Sequence, residues 1–291
     1  MLKGGDKIGI CAPSGSFDRK LFEEGLIVLK DMGFNPLVPE DIYQKKRYLA
    51  GNDSTRSEII NRFFADKDIK GIMCARGGYG AIRTLDFLDW DMIQKNPKVF
   101  IGFSDVTALL VNLAKLPLME VIHGPNITSL AKAEQVTKDS LYRFLTTGLA
   151  QTEGLNSDNL AVLSKGSGTG NLTGGNLATL NHLIGTKYQL DFKDCILFIE
   201  DVGESPYKID RMLTQMKMTG CFAGIQGVLT GSFHDCGNFE MIQEIIEEIF
   251  EEYKVPIITG IESGHGSINC SLPFGKNVKI MPEHPLINWD L

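Results

Sequence analysis

The sequence has little of what marks a secreted, membrane-spanning or nucleic-acid-binding chain. Its six cysteines (Cys11, Cys74, Cys195, Cys221, Cys236 and Cys270) are scattered and form no C-x-x-C pair, which argues against a zinc knuckle and against a disulfide framework. Cys11, Cys74 and Cys195 sit inside apolar runs, where a free thiol acts as a small hydrophobe. The start MLKGGDKIGICAP has no positive-then-apolar leader and no small-residue cleavage site, and no apolar run approaches the roughly 18 residues that span a bilayer. A cytoplasmic protein with no membrane partner is expected. There is no long Lys/Arg run and no aromatic-basic stripe, and the formal charge of −7 opposes binding to a phosphate backbone, so nucleic acid is not an expected partner.

Glycine, by contrast, is abundant: 31 residues in a chain of 291 exceed the usual share of roughly 7 % and point to many tight loops. Hydrophobic residues at 43 % and charged residues at 22 % are ordinary for a globular protein with a real core. The length favours two domains. Residues 1–147 read as an N-terminal domain, the polar and aperiodic stretch 148–166 as a linker, and 167–291 as a C-terminal domain.

Short apolar runs alternate with helical stripes through the first half. Ile8 to Ala12 reads as a strand, Leu21 to Leu29 as a helix, Pro36 to Val38 as a second short strand, and Ile59 to Phe64 as another helical stripe. Then come the strand Lys70 to Cys74, a helix from Ala81 to Leu88, the strand Val99 to Phe103 with a helix opening on Asp105, and the strand Met119 to Ile122. Strands separated by helices of this length imply right-handed crossovers and a parallel sheet, in which ligands bind at the carboxyl ends of the strands. The loops PSGS, RGGYG, GFSD and HGP all follow strands and should share one rim. The second half shows strands at Cys195 to Ile199, Gly227 to Phe233 and Pro256 to Ile261, helices at Pro206 to Met218 and Asn238 to Tyr253, and a last strand at Asn277 to Met281.

Ser104 stands at a strand-to-helix junction, where a hydroxyl lies beside unpaired amides; the N–H of Asp105 is free to donate to an oxyanion. The same serine also suits a helix N-cap, with Asp105 at the positive end of the dipole. Glu200 ends the apolar strand CILFI, and His265 lies between two glycines after another strand. Serine, glutamate and histidine in that order supply a nucleophile, an orienting carboxylate and a general base. Each has a plainer use: His265 as a turn residue and Glu200 as a strand-end charge, with Asp201 and Glu204 competing for its role. His123 follows a strand on the same rim and is the reserve base. His182 falls in a helical pattern and His284 in the tail. His234 with Asp235 and Cys236 suggests a metal only weakly, because no second ligand pair stands at a recognisable spacing. The loop Arg76 to Gly80 lacks the P-loop lysine and the GxGxxG spacing, so it is a poor phosphate cradle but a plausible source of a second oxyanion amide.

RGGYGAIRTLDFLD, GFSDVTAL, LTGGNLATL, FIEDVGESPYKIDRML and GHGSINCSLPFG resemble the successive motifs of the LD-carboxypeptidase family. These serine peptidases include muramoyltetrapeptide carboxypeptidase and the microcin-immunity peptidases. The resemblance runs from about Lys7 to Ile280. It implies an α/β protein: an N-terminal parallel-sheet domain followed by a C-terminal α+β domain with a β-barrel-like core. It also implies catalytic Ser104, Glu200 and His265, oxyanion amides at Asp105 and Gly78, and no metal or cofactor. The implied reaction is release of the terminal D-Ala from a small murein peptide in peptidoglycan recycling. Amide hydrolysis of a peptide-nucleotide antibiotic is the alternative within the family. A non-catalytic small-ligand-binding module is the alternative of another class, and it leaves Ser104, Glu200 and His265 without a joint reason. Ile59 stands where relatives often carry an acidic residue, remote from these motifs. The oligomeric state stays open, a homodimer being compatible with the sequence.

Overall fold

The computed structural model describes residues 1–147 and 160–281, and the backbone of Leu286–Trp289. The chain divides into two compact units, Met1–Gly148 with Cys270–Pro273, and Leu149–Asn269 with Phe274–Leu291. The stretch 148–159, which opens the expected linker, lies outside the described residues.

In the first unit, β1 (Lys7–Cys11), α1 (Arg19–Asp31), β2 (Asn35–Leu37), α2 (Asp53–Ala65), β3 (Ile69–Cys74), α3 (Trp90–Lys95), β4 (Val99–Gly102), α4 (Thr107–Leu113) and β5 (Glu120–His123) alternate, followed by α5 (Ile127–Leu130) and α6 (Gln135–Thr146). The sheet order places β4 and β3 at the centre, with β5 and β1 beside them, and β1 to β5 pair in parallel. β4 is buried at every residue, as a central strand covered on both faces must be. Register pairs Cys11 with Cys74, Met73 with Ile101 and Gly102 with His123, so the carboxyl ends of these strands stand level. The four loops singled out in the sequence therefore leave from one edge.

Two local expectations change. The stretch Ala81–Phe87 forms 3-10 turns rather than an α-helix. Gly80 enters it at φ 126°, the Asp105 carboxylate takes the Ala81 amide, and the Thr84 hydroxyl donates to the Ala81 carbonyl, so regular α-helical bonding is interrupted at its start. The short strand β11 (Leu272–Phe274) also joins this sheet beside β5, and Cys270–Pro273 belong to the first unit although 167–291 reads as one C-terminal domain.

The second unit holds β6 (Ala161–Ser164), β7 (Gly168–Asn176), α7 (Leu177–His182), β8 (Cys195–Val202), α8 (Pro206–Met218), β9 (Gly227–His234), α9 (Phe239–Phe250), β10 (Ile257–Thr259), β12 (Asn277–Met281) and β13 (Leu286–Trp289). β6 occupies part of the expected linker: three of its four residues, Ala161, Val162 and Ser164, pair antiparallel with β10, a partner too distant in sequence to leave a local period. β7, β8, β9 and β10 run parallel, β12 returns antiparallel on β7, and the sheet curls into a half-barrel. α9 shows why such helices dock. Ile242, Ile246 and Ile249 recur at i, i+4 and i+7 and are buried, while Asn238 caps the first turn by accepting the Met241 amide at 2.8 Å. Among the described residues no helix is long and apolar enough to cross a membrane.

Candidate active site

Ser104 leaves the end of β4 at φ 67°, a left-handed conformation that costs a non-glycine residue about 1–2 kcal/mol. It begins a single 3-10 turn, Ser104–Val106, ahead of α4. Phe103 and Val106 occupy the cap positions of these two elements, so the N-cap reading of Ser104 does not describe its place. The turn instead lifts the serine out of line with the strand, against Gly77. A Cβ on Gly77 would lie 2.7 Å from the Ser104 Cβ and 2.8 Å from its Oγ, closer than any side chain could sit. This contact explains why a glycine follows Arg76, and it sets the Gly77–Gly78 backbone beside the hydroxyl. Gly78, at φ 103°, is exposed.

The neighbouring loop is held by two buried charged groups. Asp105 turns its carboxylate inward, 7 % exposed, and accepts the Ala81 amide at 2.7 Å. Burial pushes its pKa up, and the Ala81 and Gly80 amides and the Arg56 charge work against that. Arg56, 1 % exposed, reaches from α2 to donate to the carbonyls of Pro13 and Gly80, the latter at 2.9 Å, and pairs with Asp53. The Gly80–Ala81 peptide is thus gripped at both ends, its C=O by Arg56 and its N–H by Asp105. Asp53 is itself fixed by Arg83 through Nη2 at 2.6 Å. Arg56→Met is expected to lower stability by about 3 kcal/mol in urea unfolding, because it strands two buried carbonyls and removes one of the two cations that hold Asp53. A loss below about 1 kcal/mol would mean that the loops need no such brace. The sequence offers no periodic or motif signal for Arg56; its role depends on a contact 24 residues away.

In the second unit Glu200 sits in β8, fully buried, and its Oε2 lies 2.6 Å from Nδ1 of His265. Gly264 is required there: at φ 108°, a Cβ would meet Glu200 Oε2 at 2.6 Å. The loop is pinned on either side, the Gly264 amide donating to Asn269 Oδ1 at 3.0 Å and the Gly266 amide to Ser232 Oγ at 2.9 Å. Ser232 and Asn269 therefore orient the imidazole through the backbone, and nothing in their sequence setting distinguishes them. Burial alone lowers the pKa of His265, but the hydrogen bond and charge of Glu200, with the charge of Asp201, outweigh it and raise the pKa above the ordinary value. The rival carboxylates are spent elsewhere. Asp201 accepts from Asn176, Ala178 and Val202 and is pushed up to about 6, chiefly by burial; Glu204 pairs with Lys208 at 3.1 Å.

Residues 8–124 match the N-terminal domain of LD-carboxypeptidase and residues 169–280 match its C-terminal domain, so both units carry the signature of one family. The chain belongs to the LD-carboxypeptidase family. It is 33 % identical to the "Probable murein peptide carboxypeptidase" of Bacillus subtilis, over 94 % of this chain and 88 % of the relative. It is 32 % identical to the murein tetrapeptide carboxypeptidase of Pseudomonas aeruginosa, over 93 % and 91 %. Among solved structures it resembles MccF in complex with glutamyl sulfamoyl guanosine, with a TM-score of 0.90, 25 % identity and coverage of 100 % and 97 %.

As a serine carboxypeptidase of the LD-carboxypeptidase family, the chain has several polar residues that stand apart from the two clusters above. His123 is fully buried at the end of β5, its ring 6.1 Å from that of Phe103, so it is poorly placed to exchange a proton with substrate. His182 lies in the last turn of α7, and His284 is outside the described residues. His234 is exposed and pairs with Asp235 at 3.5 Å, and among the described residues no group of three His, Cys, Asp or Glu side chains is arranged to hold a metal.

Proposed function

We propose that this LD-carboxypeptidase releases the terminal D-Ala from a murein tetrapeptide, with Ser104 as nucleophile, His265 as general base and Glu200 as the carboxylate that orients it. The observation that carries this reading is the buried Glu200–His265 pair at 2.6 Å. Because Nδ1 faces Glu200, Nε2 is the nitrogen left to take the serine proton. Ser104 Oγ attacks the scissile carbonyl carbon as His265 accepts its proton. The oxyanion is held by the amide of Asp105 and, beside Gly77, by that of Gly78. Collapse breaks the C–N bond, His265 returns the proton to the departing amine of D-Ala, and water then attacks the acyl-serine by the same route. The strained turn at Ser104 supports the assignment, since such backbone persists where surrounding structure fixes it for a task.

The test is incubation with L-Ala-D-Glu-meso-diaminopimelate-D-Ala, without nucleotide and after exhaustive EDTA treatment, followed by assay of free D-Ala. D-Ala release at an unchanged rate after EDTA is the expected result. A rate lost to chelation and restored by zinc would displace the serine mechanism and bring back His234 and Cys236 as ligands. A second reading, hydrolysis of an aminoacyl-nucleotide amide, is favoured by the likeness to MccF bound to glutamyl sulfamoyl guanosine. It predicts cleavage of such a compound with the murein peptide untouched. A non-catalytic binding module would bind peptide and release nothing.

A further inference from the structure

The stretch from Ile42 to Thr55, polar and without a clear period in the sequence, holds a feature near Ser104 that the reaction scheme leaves unused. Lys46 and Leu49 exchange both backbone hydrogen bonds, each at 3.0 Å, closing a hairpin with Arg47 and Tyr48 at its tip. Arg47 holds φ 59°, a conformation unfavourable for arginine. The hairpin is clipped to the loop after β1, Ser16 donating to the Tyr48 carbonyl at 2.9 Å and Ala50 to that of Ser14 at 3.1 Å. That loop is fixed in turn on the nucleophile's neighbour, Gly15 donating to the Gly77 carbonyl at 3.1 Å.

The hairpin presents Tyr48 edge-on to Tyr79, ring centroids 5.7 Å apart, and both rings stay open to solvent at 54 % and 44 % exposure. Tyr79 is two residues beyond Gly77, so its Cα lies within about 7.6 Å of the glycine that touches Ser104. Cations surround the pair. The Arg47 guanidinium stands 5.6 Å from the Tyr48 ring, Lys45 and Lys46 precede it, and Arg76 is anchored on the Ser16 carbonyl. Of the acidic side chains nearby, Asp53 is paired with Arg56 and Arg83 and Asp41 accepts from Gln44, so among the described residues the four cations Lys45, Lys46, Arg47 and Arg76 outnumber the two carboxylates, Glu40 and Asp41, that no ion pair engages. In a chain of net charge −7 this is a local positive lip with two aromatic faces.

We propose that the Tyr48–Tyr79 lip, with Arg47 and Arg76, is the subsite that binds the carboxylate-bearing body of a short acidic peptide substrate. Guanidinium groups match carboxylates through paired N–H donors, and tyrosine faces cover the aliphatic links between them. The assignment rests on the function proposed above for its substrate class, and it gives a use to two exposed rings, Tyr48 at the hairpin tip and Tyr79 on the adjoining loop, that folding does not bury.

Calorimetric titration of L-Ala-D-Glu-meso-diaminopimelate-D-Ala onto Ser104→Ala protein reads binding without turnover. Adding Tyr48→Ala, Tyr79→Ala or Arg47→Ala to that background is expected to weaken Kd by about tenfold each, roughly 1.4 kcal/mol, with Tyr48→Phe close to the parent. Amidating the glutamate carboxylate of the peptide should weaken binding to the parent more than to the Arg47→Ala protein. In the active enzyme the same changes should raise KM and leave kcat within about twofold. Kd values within twofold of the parent overturn the lip whether or not D-Ala is released, as does a fall in kcat at unchanged KM. Weakened binding without any D-Ala release by the Ser104 enzyme keeps the lip and removes the proposed reaction. No binding by any of the proteins overturns both.

Discussion

On the proposed mechanism Ser104→Ala is expected to lower the rate of peptide hydrolysis by about 10⁴-fold or more, since a triad without its nucleophile keeps only the catalysis supplied by oxyanion donors and binding. Its folding should hardly change. Alanine keeps the Cβ that makes φ 67° unfavourable and removes only a hydroxyl that occupies no cap position. Ser104→Gly should be equally inactive yet more stable than Ser104→Ala by up to about 1 kcal/mol, because glycine enters the left-handed region without a Cβ penalty and gives back part of the gain as chain entropy. Thermal melts and D-Ala release, measured on both variants, separate the two roles. An alanine variant that keeps most of its activity removes Ser104 as nucleophile; a glycine variant no more stable than alanine removes the strain.

The parallel sheet of the first unit was legible because its strands are apolar runs long enough to show and its helices carry clear stripes, as with Ile59, Ile60, Phe63 and Phe64 on α2. Helix α8 was equally plain, starting at Pro206 and ending at Met218 as its pattern predicts. Short elements were not legible. α3 has six residues and α5 four, too few turns for a period to repeat, and β11 is recognised only by a partner strand far away in the sequence. The same limit divides the candidate site. Ser104 and His265 stand out because each follows a strand among small residues, and Glu200 because it is a carboxylate closing the apolar run CILFI within β8. The groups that hold them, Arg56, Asp105, Ser232 and Asn269, act through contacts made after folding, so sequence spacing carries no trace of them. Asp105 shows the difference well. The junction suggested an amide donor and a dipole partner, whereas its carboxylate also braces the Ala81 end of the adjacent loop.

Glu200→Gln is expected to have the second largest effect, a fall in kcat of about 10²–10⁴-fold, since an amide can hold the ring but neither fixes the required tautomer nor stabilises the imidazolium. Its diagnostic signature is in the pH dependence. In the native protein burial favours the neutral imidazole, yet the hydrogen bond and charge of Glu200 and the charge of Asp201 reverse that, so the His265 pKa stands above its ordinary value. The acid limb of kcat/KM, which reports the base in the free enzyme, should therefore lie above about pH 6.5. With glutamine at position 200 the largest raising influences vanish while burial remains, and the limb should move toward lower pH even as the plateau falls. Stability follows the same sign. Because the folded pKa exceeds the unfolded one, the native state binds more protons between the two values. The stabilisation from the charged His265–Glu200 pair is then complete below about pH 6.5 and is lost as pH rises through the folded value; it should be missing from urea unfolding of Glu200→Gln at every pH. An acid limb that stays in place in Glu200→Gln would show that Glu200 does not set the protonation of the proposed base, His265, and the orienting role would have to pass to another carboxylate.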